Sequence, residues 1–230
     1  KDVAYAALPR RPRRALHRAF GELLEGRHGK ALRRVTADLF RHFAAADEPD
    51  RAGRYGLSAA KQALEAGGNE DAIQAAGVAA HFLESEVGQA EARLLIAWAR
   101  RNLGATEEAI AEGAWAAEAF ERASDPRVAD ACLVAAEAAW DARTPDRTKA
   151  WAERGLEAGG HPINPETRLR LLQLAATTAA LQCDRQATDR YLRDIDSQAD
   201  ALAADSPDRR PSGILQIPLP TKVTRLDPAA

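Results

Sequence analysis

The sequence predicts an all-α protein, a stack of about five antiparallel helical hairpins. Three observations predict it. A small residue recurs near the start of the second helix of each hairpin, at Ala31, Ala72, Ala109, Thr148 and Ala187. The intervals are 41, 37, 39 and 39 residues, a period that marks stacked supersecondary units. Three of these sites read alike: Asn69-Glu70-Asp71-Ala72-Ile73, Thr106-Glu107-Glu108-Ala109-Ile110 and Asp184-Arg185-Gln186-Ala187. Second, 46% of residues are hydrophobic but only 5% aromatic. Much of the apolar content is alanine, which favours helix and lets helices approach closely. Third, Val and Ile are sparse and no period-two alternation precedes residue 205, so strands are not expected.

The elements follow in order. An apolar segment from Asp2 to Leu8 reads as a short helix, interrupted by Pro9 and Pro12. A helix from Arg13 to Glu25 carries Leu16, Phe20, Leu23 and Leu24, and Gly26 and Gly29 break it. The next, Lys30 to Ala46, has Leu32, Val35, Leu39, Phe40 and Phe43 at helical spacing. Pro49 opens a helix to Ala66, which Gly67-Gly68 ends. Helices to Ser85 and from Gly88 to Leu103 follow. Gly104 reads as a C-cap and Thr106 as an N-cap. Ser124-Asp125-Pro126 and Thr144-Pro145 read as starts of the next two helices, the second stopping at Gly159-Gly160. Asn164 is expected to cap a helix from Pro165 to Gln182, and a last helix spans Asp184 to Ala204. Short links between them force antiparallel neighbours. This divides the chain into N-terminal helices at 1–28, a junction with a preceding domain; a repeat array at 29–204; and an extended Pro-rich tail at 205–230. The chain lacks methionine and opens Lys1-Asp2-Val3, which predicts a fragment of a longer protein.

Composition narrows the function. With 32 basic and 34 acidic residues the net charge is −2, which gives no general attraction to nucleic acid or anionic membrane. Two cysteines, Cys132 and Cys183, fall inside expected helices far apart in sequence. That pattern fits a reducing cytoplasm better than a disulfide framework. There is no apolar run long enough to span a membrane.

The hairpins resemble tetratricopeptide repeats. The pattern residues are Ile96-Ala97, Gly104, Ala109 and Ala116 in the third pair; Ala135-Ala136, Thr148 and Gly155 in the fourth; and Leu171, Leu174-Ala175, Ala187 and Tyr191 in the fifth. This resemblance implies a right-handed α-α superhelix. A second resemblance rests on Asp2-Val3-Ala4-Tyr5-Ala6-Ala7-Leu8, Arg13-Arg14-Ala15-Leu16-His17-Arg18, His42-Phe43-Ala44-Ala45-Ala46-Asp47 and Arg51-Ala52-Gly53-Arg54-Tyr55. These look like one stretch of bacterial multidomain STAND-type signalling ATPases, fused to a Ser/Thr kinase, a nucleotide cyclase or a LuxR-type regulator. It implies the helical sensor or scaffold part of such a protein.

No catalytic constellation is legible. Gly26-Arg27-His28-Gly29-Lys30-Ala31 lacks the glycine six residues before the lysine and the Ser or Thr after it that a phosphate loop needs. His17, His28, His42, His81 and His161 show no metal-ligand spacing. No cofactor or metal is expected, and the chain is read as non-catalytic. The strongest charge feature is Arg10, Arg11, Arg13, Arg14 and Arg18, read as a solvated helix face, a contact to another domain or, third, a contact to nucleic acid, for which no interleaved aromatics are present. The four tryptophans lie in the third and fourth hairpins. The repeat register puts Trp98, Arg101, Asn102, Glu137, Trp140 and Asp141 on or near a concave groove, with inter-repeat packing as the other reading of the Trp residues. The expectation is a protein- or peptide-binding scaffold of a larger signalling protein. A stand-alone peptide adaptor is the alternative within binding proteins. From another class, the chain is part of an enzyme whose kinase or ATPase site lies upstream. The apolar run Ile214-Leu215-Gln216-Ile217-Pro218-Leu219 predicts either a tail docked on the array or a linker.

Overall fold

In the computed structural model, residues 9–158 and 162–205 are described, with side chains to 198 except at 30. The expected helix at Asp2–Leu8, the Gly159-Gly160 stop and the tail lie outside the described residues. Among those described, all regular structure is helical: α1 (Arg10–His28), a 3₁₀ segment (Gly29–Val35), α2 (Thr36–Ala46), α3 (Pro49–Glu65), α4 (Asn69–Ala80), α5 (Glu86–Asn102), α6 (Thr106–Arg122), α7 (Val128–Asp141), α8 (Pro145–Glu157), α9 (Pro165–Leu181) and α10 (Arg185–Asp205).

Every helix packs on its neighbours in sequence. In addition α3 touches α5, α5 touches α7 and α7 touches α9. The alternate helices α4, α6, α8 and α10 make no comparable contacts with one another. The array thus has two rows, and the odd row is the closer packed. Alanine makes this possible. Ala76, Ala97, Ala116, Ala117, Ala135, Ala136 and Ala175 are fully buried, and with no side chain beyond Cβ they let backbones approach. Where alanine is still too large, glycine stands. A Cβ on Gly155 would lie 2.9 Å from both Cys132 Cβ and Leu171 Cδ1.

The turns share one geometry. One or two residues past the end of each of six helices the backbone turns left-handed, at Asp47, Gly67, Gly104, Ser124, Arg143 and Cys183, with φ between 52° and 79°. The next amide bonds back to a carbonyl five residues earlier: Gly68 N to Ala63 O at 2.8 Å, Ala105 N to Arg100 O at 2.9 Å, Thr144 N to Ala139 O at 3.0 Å and Asp184 N to Ala179 O at 2.9 Å. These are Schellman closures, which satisfy carbonyls that a helix end would leave orphaned.

Several boundaries differ from expectation for local reasons. Pro12 does not interrupt α1, because it falls in the first turn, where no backbone N–H is needed. Gly26 stays helical, and α1 ends at Gly29 with φ 41°. Residues 29–35 form a 3₁₀ segment in which Ala31 leaves helical geometry (φ −101°, ψ 22°), so Ala31 is not an equivalent of the other small residues. Thr106 is the first residue of α6 and Ala105 its N-cap. Pro126 precedes α7; there Asp125 Oδ1 accepts from Arg127 N at 3.0 Å. Ser85 and Asn164 are side-chain caps: Ser85 Oγ accepts from Gly88 N, and Asn164 Oδ1 from Glu166 N and Thr167 N. In α10 the register moves by one. Ala72, Ala109 and Thr148 each donate N–H to the N-cap carbonyl of their helix, and in α10 Thr188, not Ala187, does so.

Candidate functional site

The closely packed row leaves a cleft of about 380 Å³ lined from four alternate helices. α3 supplies Lys61, Leu64 and Glu65; α5 supplies Leu94, Leu95 and Trp98; α7 supplies Asp130 and Leu133; and the start of α9 supplies Asn164, Glu166, Thr167 and Arg170. Leu94, Leu95, Trp98 and Leu133 make an apolar floor, and charges of both signs make the rim. Thr167 at the rim is already fixed, its Oγ1 donating to Asp130 Oδ1 at 2.6 Å.

Behind this floor is an ion-pair cluster. Glu137 of α7 is only 4% exposed. Arg101 Nη1 lies 2.7 Å from Glu137 Oε2, and Arg101 Nε donates to Asp141 Oδ2 at 2.9 Å. Arg170 of α9 pairs with Glu137 Oε1 from the other side. Both guanidiniums also stand over the Trp98 ring, 5.9 Å (Arg101) and 5.7 Å (Arg170) from its centroid. Burial pushes the Glu137 carboxyl above its ordinary range, against the opposing pull of Arg101 and Arg170. The Oε2 atom has no aligned hydrogen bond despite its ion pair. The cluster therefore locks α5, α7 and α9 together and fixes the Trp98 ring at the cleft floor.

Of the six residues expected at the groove, Trp98 lines the cleft. Arg101, Glu137 and Asp141 form the cluster behind it. Asn102 lies elsewhere: its Nδ2 donates to Asn69 Oδ1 at 3.0 Å, tying the end of α5 to the start of α4. Trp140 packs on the cluster built by α7, α8, α9 and α10, which includes Ala152, Leu171, Leu174 and Tyr191. Trp115 sits under Arg93 and Trp151 beside Arg154. Sequence reasoning missed Arg170, Leu94, Leu95 and Leu133. The i, i+4 pair Leu94 and Trp98 carries a helical-face signal, but nothing local marks Arg170.

In the basic run, Arg14 Nη2 is 2.8 Å from Asp47 Oδ2, and Arg18 pairs with Glu48. These two fasten α1 to the turn after α2. Arg10 and Arg11 are exposed, and Arg13 is half-buried. Nearby, His17 and His42 place their Nδ1 atoms 2.9 Å apart. Burial lowers the pKa of both, helped by Arg13 and Arg41 around His17 and by His17 and Arg41 around His42, while Asp38 opposes at His42. Cys132 is buried and its thiol pushed up to about 12, a packing residue. No group of three or more ligating side chains suited to a metal occurs among the described residues.

No protein-family model and no curated protein matches the chain. Among solved structures it is similar to one titled crystal structure of BtubC (BKLC) from P. vanneervenii, with a TM-score of 0.63 and 18% identity. The match covers 87% of this chain and 85% of that one. At that identity the likeness concerns the fold alone. No helix among the described residues is long and apolar enough to cross a membrane.

Proposed function

We propose that the chain is a non-catalytic interaction scaffold, a right-handed superhelix of about five hairpins that holds an extended peptide in the cleft across α3, α5, α7 and α9. The observation that carries this reading is the lining of that cleft: helices from four successive hairpins line it, α5 and α7 giving the apolar floor and α3 and α9 most of the mixed-charge rim. Such a floor accepts spaced apolar side chains, and the rim leaves room for backbone and polar contacts. The cluster of Arg101, Glu137 and Arg170 holds the floor rigid before a ligand arrives, which lowers the ordering cost of binding. The resemblance to STAND-type signalling ATPases adds that the scaffold works as the sensor or partner-binding part of a larger bacterial cytoplasmic protein.

Selection of peptides from a random library on residues 1–230, followed by anisotropy titration, tests the reading. Selected peptides should lose at least tenfold in affinity to Leu95→Ser and to Lys61→Glu, the exposed Lys61→Glu with melting unchanged. Peptides that bind both variants as well as the parent chain would remove the cleft from the proposal. ATP turnover by purified residues 1–230 would remove the non-catalytic part.

A further inference from the structure

The chain's own topology leads back to the cleft. α9 and α10 are joined by residues 182–184 alone and run antiparallel. Tyr191 of α10 is buried with Leu171 and Leu172 of α9, and Ile195 packs on the same cluster. α9 has 17 residues and α10 has 21. At about 1.5 Å per residue, α10 returns to the level of Pro165 and passes it by about 6 Å. Its end at Asp205 is thus at the same end of the array as Asn164, Glu166, Thr167 and Arg170, the α9 residues that line the cleft. Residues 206–230 lie outside the described residues, and they start from the cleft's end of the array.

Length, pattern and charge fit that start. The eight residues 206–213 reach at most about 27 Å. Packed helices stand about 8–10 Å apart, so α7, two steps from α10, is within reach. The apolar run Ile214-Leu215-Gln216-Ile217-Pro218-Leu219 comes next. Pro211, Pro218 and Pro220 exclude helix there. In an extended chain alternate residues share a face. Leu215, Ile217 and Leu219 then form one apolar edge about 13 Å long, enough to cross from α7 to α5. The floor beneath offers the half-buried Leu95 and Trp98 of α5 beside the buried Leu133 of α7. Before the run, Asp208, Arg209 and Arg210 leave the connecting residues net positive. They pass the first turn of α9, where Glu166 is exposed and forms no ion pair with described residues. A short tether also holds the run at an effective concentration on the order of 1 mM, which favours the chain's own tail over that of a second copy.

We propose that residues 214–219 of this same chain occupy the cleft over α5 and α7 and compete there with an outside peptide. The inference rests on the reading of the cleft as a peptide groove. The probe is a fluorescein-labelled synthetic peptide of residues 206–222. It is titrated by anisotropy against the full chain and against the full chain carrying Leu215→Ser, Ile217→Ser and Leu219→Ser. The triple variant should bind it at least tenfold more tightly, because its own tail no longer competes. In that background Leu95→Ser should weaken the probe at least tenfold. A probe with Arg209→Glu and Arg210→Glu should bind the triple variant at least threefold more weakly. Equal affinity for the parent chain and the triple variant, no binding to the triple variant, or indifference to either of these changes overturns the proposal. The library peptides score the cleft separately. If they depend on Lys61 while the probe fails, the cleft stands and the tail is not its occupant. If they bind Lys61→Glu and Leu95→Ser as well as the parent chain, the cleft reading falls and this inference with it. A second measurement does not depend on Leu95. The chain holds no methionine of its own, so Leu219→Met made with a photoreactive methionine analogue places a crosslinker in the tail. Crosslinks within one chain to α5 or α7 are expected. Crosslinks confined to α10, or none, overturn the proposal. Crosslinked dimers would give the cleft to the tail of a second copy and overturn it equally.

Discussion

Arg101 holds two carboxylates one turn apart on α7, with Nη1 2.7 Å from Glu137 Oε2 and Nε 2.9 Å from Asp141 Oδ2. Only one of the two, Glu137, is buried. The guanidinium thereby fixes which face of α7 meets α5. Glu137→Ala should cost about 3 kcal/mol, because it leaves Arg101 and Arg170 together in a partly desolvated site. Asp141→Ala removes an exposed partner and should cost under about 1 kcal/mol. Urea unfolding of the two variants checks the order, and an equal loss in both would mean that the cluster adds nothing beyond surface pairing.

The turn geometry makes a prediction of opposite sign. Arg143 is left-handed at φ 60°, a conformation that penalises a side chain. Arg143→Gly should raise stability by about 1 kcal/mol. The reverse change at Gly104, where φ is 79° and a Cβ would meet nothing within 4 Å, should lower it by about the same amount through backbone strain alone. Thermal melting of the pair provides the comparison.

Close approach makes the third. Gly155 has no space for a methyl between Cys132 and Leu171, and Ala109 is fully buried. Gly155→Ala and Ala109→Leu should each overpack a helix crossing and cost about 1–3 kcal/mol. An unchanged melting curve for Ala109→Leu would show that the α6 register described above is wrong.

The histidine pair makes stability depend on pH. Both pKa values are lowered in the folded state by burial and by nearby positive charge. The unfolded chain therefore binds more protons, and stability rises with pH. The contribution is complete above the ordinary value of 6.5 and is lost as pH falls from there toward the lowered folded values. The melting temperature should drop between about pH 7 and pH 5, and His42→Gln should flatten that slope. A slope unchanged in His42→Gln would assign the pH dependence to other groups.

Helix content and order were legible because capping and first-turn signals are local. Asn164 with Pro165, and Pro49, mark their helix starts in both readings. The departures arise where the same residues obey a different local rule. Pro12 reads as a breaker until its place in the first turn is known. The turns at Arg143 and Cys183 were legible from Thr144-Pro145 and from the break between Gln182 and Asp184, but with no glycine there nothing announces their left-handed backbone. Thr188 replaces Ala187 because the α10 start moves by one residue. At the cleft, Trp98 was legible from hairpin register. Arg170 was not, because its position against Glu137 depends on how α9 lies on α7, a contact between residues 33 apart in sequence.

The recurrent turn has a consequence for how such a chain can change length. Gly67, Gly104, Arg143 and Cys183 occupy one backbone state, and the residue after each makes the same bond. Cutting the chain after Gly104 and rejoining it at Thr144 would recreate that joint without new chemistry. One hairpin's worth of sequence would be gone, and the flanking helices would meet the turn they already use. Because the closure is made by backbone atoms, the side chains around it are free to drift. Gain or loss of a whole unit therefore disturbs the joints least, and its cost is set by the side chains that cross between helices, such as Glu137 between Arg101 and Arg170.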